Sequence, residues 1–177
     1  GKGYEPAETA PDKFHGIGPF DIESGKVLAK KDGDTYTDVF GKVLCDEASR
    51  NPDIVAITAA MADGTGLARF KKHYPNRFFD VGIAEANMIG IAAGLSAYGY
   101  KPIAFTFAPF ATRRVCDQIA VSVAYAKQNV KIVGTDPGIT AELNGGTHMS
   151  FEDVAVLRSI PNMIIYDAVD DIQLSQA

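Results

Sequence analysis

Only two cysteines occur in the 177 residues, Cys45 and Cys116, and they have no metal-ligand spacing. That excludes a disulfide scaffold and a cysteine-based zinc site, and two lone thiols on predicted helices read as reduced packing residues. Positive charge is not in excess either. With a net charge of -5 and a pI near 5.1, the chain lacks the clustered Lys and Arg of a nucleic-acid surface. Lys26, Lys30 and Lys31 form a small basic patch that reads as solvated linker. No apolar stretch is long enough to span a bilayer, and the start Gly-Lys-Gly-Tyr-Glu has no apolar signal region. The expectation is a cytoplasmic protein with neither nucleic acid nor membrane as partner.

What is present, 46% hydrophobic and 22% charged residues, suffices for one sizeable core with a short appended segment. Gly, Pro and polar residues dominate residues 1–34 without periodicity, so this segment reads as an extended or looped interdomain linker. Its apolar residues Phe14, Ile17, Phe20 and Val27 suit docking on a neighbour. Residues 35–177 read as one α/β domain. A helix is predicted from Tyr36 to Arg50, with Val39, Phe40, Val43 and Leu44 on one face and Asp34 or Thr35 as its cap. Strands and helices then alternate. Strands are predicted at Ile54 to Thr58, Pro102 to Phe107, Val130 to Thr135 and Asn162 to Tyr166; helices at Ala84 to Tyr98, Phe110 to Lys127 and Ser150 to Ile160. This pattern implies a parallel sheet with helices on both faces and right-handed crossovers. Ligands bind beyond the carboxyl ends of such strands, where Thr58, Phe107 and Asp136 fall.

The most informative run is Phe78-Phe79-Asp80-Val81-Gly82-Ile83-Ala84-Glu85, a short apolar strand leading into a carboxylate that opens a helix. The helix repeats Met88, Ile89, Ala92, Ala93 and Leu95 at helical spacing, so Glu85 sits on or beside the buried face. A buried carboxylate must be paired, hydrogen-bonded or protonated, which makes Glu85 a candidate for proton chemistry. The plainer alternative is a residue that complements the helix dipole, worth about 0.3–1 kcal/mol.

The run from Phe78 to Glu85, continued by Asn87-Met88-Ile89-Gly90-Ile91-Ala92-Ala93-Gly94-Leu95, resembles the pyrimidine-binding domain of the transketolase family of thiamine-diphosphate enzymes. The resemblance implies that Glu85 hydrogen-bonds the N1′ nitrogen of the cofactor's aminopyrimidine and favours the imino tautomer that removes the thiazolium C2 proton. It also implies an aromatic stacked on the pyrimidine, with Phe110 preferred and Phe107 beside it, whereas Phe105 reads as core. By the same resemblance Ile83 wedges under the cofactor, although a strand-end isoleucine ordinarily packs in a core. His148, in the loop Asn144-Gly145-Gly146-Thr147-His148-Met149, matches a substrate-contacting histidine; a lone loop histidine would otherwise be surface decoration. Arg113 or Arg114 is expected to reach a substrate hydroxyl or phosphate while the other pairs with acidic surface, and Asp136 is placed with the substrate-facing residues.

Two branches of the family contribute. Residues 1–8, Phe14 to Asp21, Ile57 to Met61 and Gly64 to Leu67 resemble 1-deoxy-D-xylulose-5-phosphate synthase and its interdomain linker. From Asn87 onward the match follows transketolases split into two polypeptides: Arg113-Arg114-Val115, Asp117-Gln118-Ile119, Ser122 to Tyr125, Val130 to Gly134 and Phe151 to Ala155. Departures occur at Ala86, where glutamine is usual, at Asn87, where the synthase has histidine, and at Met149, where glutamine is common. No Gly-Asp-Gly followed by a distant Asn is present, so magnesium and the diphosphate are expected on another domain or subunit of the same enzyme. The chain therefore reads as a fragment or split subunit of a homo-oligomeric enzyme, inert alone. The leading expectation is transfer of two-carbon ketol units between phosphosugars. The alternatives are the synthase reaction of pyruvate with glyceraldehyde 3-phosphate, and a non-catalytic structural or regulatory subunit.

Overall fold

The computed structural model describes residues 2–11, 13–28 and 33–177, so Lys30 and Lys31 of the basic patch lie outside the described residues. It divides into two compact units between Asp34 and Thr35. In the first unit a short helix, α1 (Glu5–Thr9), replaces part of the expected loop, with Pro6 in its first turn where a missing N–H costs nothing. The rings of Tyr4 and Phe14 lie 5.6 Å apart and those of Phe14 and Phe20 5.3 Å, both edge to face. Phe14 and Phe20 thus pack on each other, and Phe20 bridges antiparallel to Val27.

The second unit opens with α2 (Tyr36–Arg50), whose amino end is a capping box. Thr35 Oγ1 accepts from Asp38 N–H at 3.2 Å, and the Asp38 carboxylate accepts from Thr35 N–H at 2.9 Å. Strand β1 (Ile54–Thr58) follows, then α3 (Leu67–His73), β2 (Phe78–Asp80), α4 (Glu85–Ala97), β3 (Lys101–Phe107) and, further on, β4 (Lys131–Thr135). All pairings are parallel in the order β2-β1-β3-β4, with Ile57 opposite Ala104 and Phe105 opposite Val133.

Side-chain alternation along the strands builds two cores. Ile57, Ala104 and Ile132 pack with Met88, Ile89 and Ala92 of α4 and with Ile119 and Val123 on one face. Ala56, Phe105 and Val133 pack with Leu44, Cys45 and Ala48 of α2 and with Leu67 and Phe70 of α3 on the other. Helices therefore cover both faces, as the alternating pattern required. Burial pushes the Cys45 thiol above its ordinary pKa, which keeps it inert. Phe105 stacks edge to face on Phe40 at 4.8 Å, in the core as expected.

Several elements differ from expectation. Residues 162–166 join no sheet: Asn162 adopts φ 70° after Pro161, and Ile164 stands in solvent. Helix α3 was not anticipated, because seven residues give too short a window for periodicity to register. The expected continuous helix from Phe110 to Lys127 is broken into α5 (Ala108–Ala111), a 3-10 turn (Arg113–Val115), α6 (Cys116–Gln118) and a π-helical stretch (Ile119–Tyr125). The break falls at Thr112, whose φ of -121° and ψ of -91° are not helical. Its hydroxyl lies 2.7 Å from the Ala108 carbonyl and 2.6 Å from the Asp153 carboxylate, and its single proton can serve only one. Beyond β4 come α7 (Asp153–Arg158), shorter than the expected helix from Ser150 to Ile160, and α8 (Asp171–Gln176).

Gly66 caps α3 at φ 71°, and a Cβ there would stand 2.4 Å from the carbonyl oxygen of Thr37. Gly66→Ala combines left-handed strain with a backbone clash and is expected to destabilise the chain by more than about 2 kcal/mol, read as a lowered urea midpoint. An unchanged midpoint would contradict this packing of α2 against the α3 start.

Candidate cofactor-ring site

Chain direction reverses between β1 and β3: the chain leaves β1 towards β2 on one side and leaves β3 towards β4 on the other. This is the switch point at which open α/β sheets bind ligands. The β2 exit is fastened to it. Asp80 Oδ1 accepts from the backbone N–H of Ala60 at 2.8 Å and of Gly82 at 3.1 Å, and Val81 N–H donates to the Thr58 carbonyl at 3.0 Å. Gly82 supplies the positive φ of 71° that the turn needs. The chain then enters α4 at Glu85 without a side-chain cap.

The Glu85 side chain is only 6% exposed, and its Oε1 accepts from Nη1 of Arg114 at 2.6 Å. The Arg114 guanidinium lies in turn over Phe110, 3.7 Å from the ring centroid. Phe110 meets Phe107 at 5.9 Å and His148 at 5.2 Å, and Phe107 meets His148 at 5.7 Å, all edge to face. His148 Nδ1 is 2.9 Å from Thr147 Oγ1, and its backbone N–H donates to Gly145 at 3.0 Å. Arg113 pairs with Glu152 at 2.7 Å and donates from Nη2 to the Thr147 carbonyl at 3.3 Å.

Glu85, Arg114, Phe110, Phe107 and His148 thus form one continuous set of contacts, which Arg113 joins through the His148 loop. Both arginines are held by carboxylates. Ile83 stands apart, 84% exposed at the tip of the β2–α4 turn rather than packed in the core. Asp136 follows β4 at φ 54°, its Oδ2 3.4 Å from Thr135 Oγ1. Two residues went unmarked in the sequence. Asp80 was legible as an Asx-type turn former two residues before a glycine, whereas Asp153, which meets Thr112, carried no local signal.

A buried carboxylate beside aromatic rings suits a flat nitrogen heterocycle. Among the described residues no group of three or more His, Cys, Asp or Glu is placed to hold a metal ion.

The sequence profile described as transketolase, pyrimidine binding domain, matches residues 33–177, and the chain belongs to that family. A 6-deoxy-6-sulfo-D-fructose transketolase subunit of a Clostridium species is 54% identical over 144 residues, 81% of this chain and 44% of that protein. A 1-deoxy-D-xylulose-5-phosphate synthase of Natranaerobius thermophilus is 45% identical over 177 residues, 99% of this chain and 28% of that protein. Among solved structures, a split gene transketolase described as an inactive beta4 tetramer matches with TM-score 0.71 at 40% identity, covering 81% of this chain and 45% of that one. The chain spans less than half the length of each of these relatives.

Glu152 is partly exposed, and its pKa is held below the ordinary 4.5, first by the Phe151 backbone N–H and then by the Arg113 guanidinium. A carboxyl depressed on folding contributes stability above its ordinary pKa and loses it as pH falls through the folded value. An NMR titration is expected to place the Glu152 midpoint below 4.5 and to move it up only partway in Arg113→Ala, because the Phe151 N–H remains. A wild-type midpoint at or above 4.5 would contradict both contacts.

Proposed function

We propose that this chain supplies the aminopyrimidine half of a thiamine-diphosphate site in an enzyme that transfers two-carbon ketol units between sugars. The observation that carries this reading is Glu85, a carboxylate 6% exposed at the head of α4 and joined through Arg114 to a cluster of aromatic rings. A carboxylate serving only the helix dipole gains about 0.3–1 kcal/mol and has no reason to leave water. When bound, the cofactor supplies a thiazolium carbon that, freed of its proton, makes and breaks bonds to a ketose carbonyl.

This chain's own part is to hold and orient. Glu85 offers a carboxylate oxygen to the ring nitrogen and holds the proton shared there. Phe110 and Phe107 give the ring apolar walls and exclude water, which strengthens the Glu85 hydrogen bond. Ile83, exposed beside Glu85, is free to meet the cofactor from the turn. With Nδ1 engaged by Thr147, His148 presents Nε2 to a substrate hydroxyl. Arg113, tied to the same loop, and Asp136 at the β4 exit flank the substrate side.

Nothing in this donor set suits a diphosphate with magnesium, since Arg113 and Arg114 already face carboxylates. A diphosphate-binding domain or partner subunit completes the site, in keeping with the split-gene and subunit names of two relatives. The sulfo-sugar in the name of one of them supports a donor ketose with an anionic far end. The reading includes a cytoplasmic setting and an assembly of several copies. The synthase reaction is the second reading, favoured by relatives of that name whose similarity covers 99% of the chain, including residues ahead of the family match at residue 33.

Calorimetry tests the division of the site. The chain alone is expected to bind thiamine diphosphate weakly and without dependence on magnesium, and a diphosphate-binding partner to restore tight, magnesium-dependent binding. Tight magnesium-dependent binding by the chain alone would contradict the proposal. In the assembled enzyme, carbon dioxide release from pyruvate without transfer from any ketose would reverse the order of the two reactions.

A further inference from the structure

Arg114 makes the two contacts that a cofactor ring would need. A guanidinium is flat and delocalised, with N–H donors around its edge and a face that stacks on aromatics. Here one edge donates to Glu85 Oε1 at 2.6 Å while the group lies 3.7 Å from the Phe110 centroid. An aminopyrimidine presents the same outline, an edge nitrogen for a carboxylate and a face for an aromatic ring. We propose that Arg114 is the gate of the ring site: its guanidinium stands in for the aminopyrimidine on Glu85 and Phe110, and the entering ring displaces it. The inference rests on the ring-site reading given above.

Exposure decides which partner moves. The Arg114 side chain is 45% exposed and the Glu85 side chain 6%. Swinging the arginine into solvent rehydrates a charge that is already half wet, whereas the glutamate is enclosed by its neighbours. Arg114 also sits on the 3-10 turn Arg113–Val115, just after the helix break at Thr112, where backbone is not locked in a long ladder. The gate has a physical purpose. An unpaired carboxylate buried at Glu85 would be costly before the cofactor arrives, and Arg114 neutralises it until the ring can.

The probe is the neutral hydroxymethyl aminopyrimidine that forms the ring half of thiamine, titrated calorimetrically into the whole 177-residue chain. Arg114→Met keeps an apolar side chain of similar length but removes the stand-in, and is expected to tighten binding roughly tenfold, the combined worth of one partly exposed ion pair and one cation–π contact. Arg114→Lys, which can reach Glu85 but cannot lie flat, should fall between. Glu85→Gln should weaken binding, and in the wild-type chain the Arg114 side-chain N–H signals should shift on adding the probe while those of Arg113 stay.

If Arg114→Met, folded by its NMR dispersion, binds no tighter than wild type while Glu85→Gln still weakens binding, the ring site stands and the gate is overturned. Loss of dispersion in Arg114→Met passes the decision to Arg114→Lys, where binding no tighter than wild type has the same meaning. If Glu85→Gln binds as wild type, or no variant binds at all, the ring-site reading fails and takes the gate with it.

Discussion

A carboxylate removed from water at the first residue of a helix is the constraint around which this domain is arranged. Glu85 has no side-chain cap before it and is almost wholly buried, so its charge must be answered by neighbours. Arg114 answers it, and the position of Arg114 follows from the irregularity of the segment after β3. A straight helix from Phe110 to Lys127 would carry Arg114 one regular turn beyond Phe110. The non-helical Thr112, placed between the Ala108 carbonyl and the Asp153 carboxylate, instead sets both arginines on a 3-10 turn. Asp80 serves the other side, fastening the exits of β1 and β2 so that the turn delivers Glu85 to the switch point.

The sheet sets where a ligand site can form. Both faces of the sheet are covered by helices, which leaves the strand exits as the open ground for ligands. What gathers there is a carboxylate, aromatic rings and a histidine, with each arginine held by an acidic partner. Such a set suits the flat heterocycle and hydroxylated substrate of the proposed function. With both arginines engaged, no free cation is left in the set for a magnesium diphosphate, and on the proposed reading the binding energy of that end comes from another domain or subunit.

Much of this was legible in residue pattern. The capping box at Thr35 and Asp38, the heptad-like apolar spacing of α4 and the apolar runs of β1, β3 and β4 each carry a local signal that tertiary packing reinforced. The strand expected at 162–166 had a comparable apolar run but pairs with no strand of the sheet, and pairing is not a property of one segment. The break at Thr112 depends on Asp153, 41 residues away, and no window along the chain contains both. For the site, the sequence marked Glu85, Phe110 and His148 as separate candidates, yet the bond from Arg114 to Glu85 joins residues 29 apart and emerged only once the chain was folded. The exposure of Ile83 was not legible from residue type: an isoleucine at a strand end ordinarily packs in a core, and the turn built by Asp80 and Gly82 puts it in solvent.

The most direct test of the role of Glu85 is the rate at which bound thiamine diphosphate exchanges its C2 proton for deuterium in the assembled enzyme, compared between wild type and Glu85→Gln. Glutamine keeps the shape and the burial but cannot hold the acidic proton at the ring nitrogen. Exchange is expected to slow by at least about a hundredfold, the lower range for a lost general acid–base group, while cofactor stays bound and the melting temperature changes little. Exchange at the wild-type rate in the glutamine variant would show that the buried carboxylate takes no part in the chemistry.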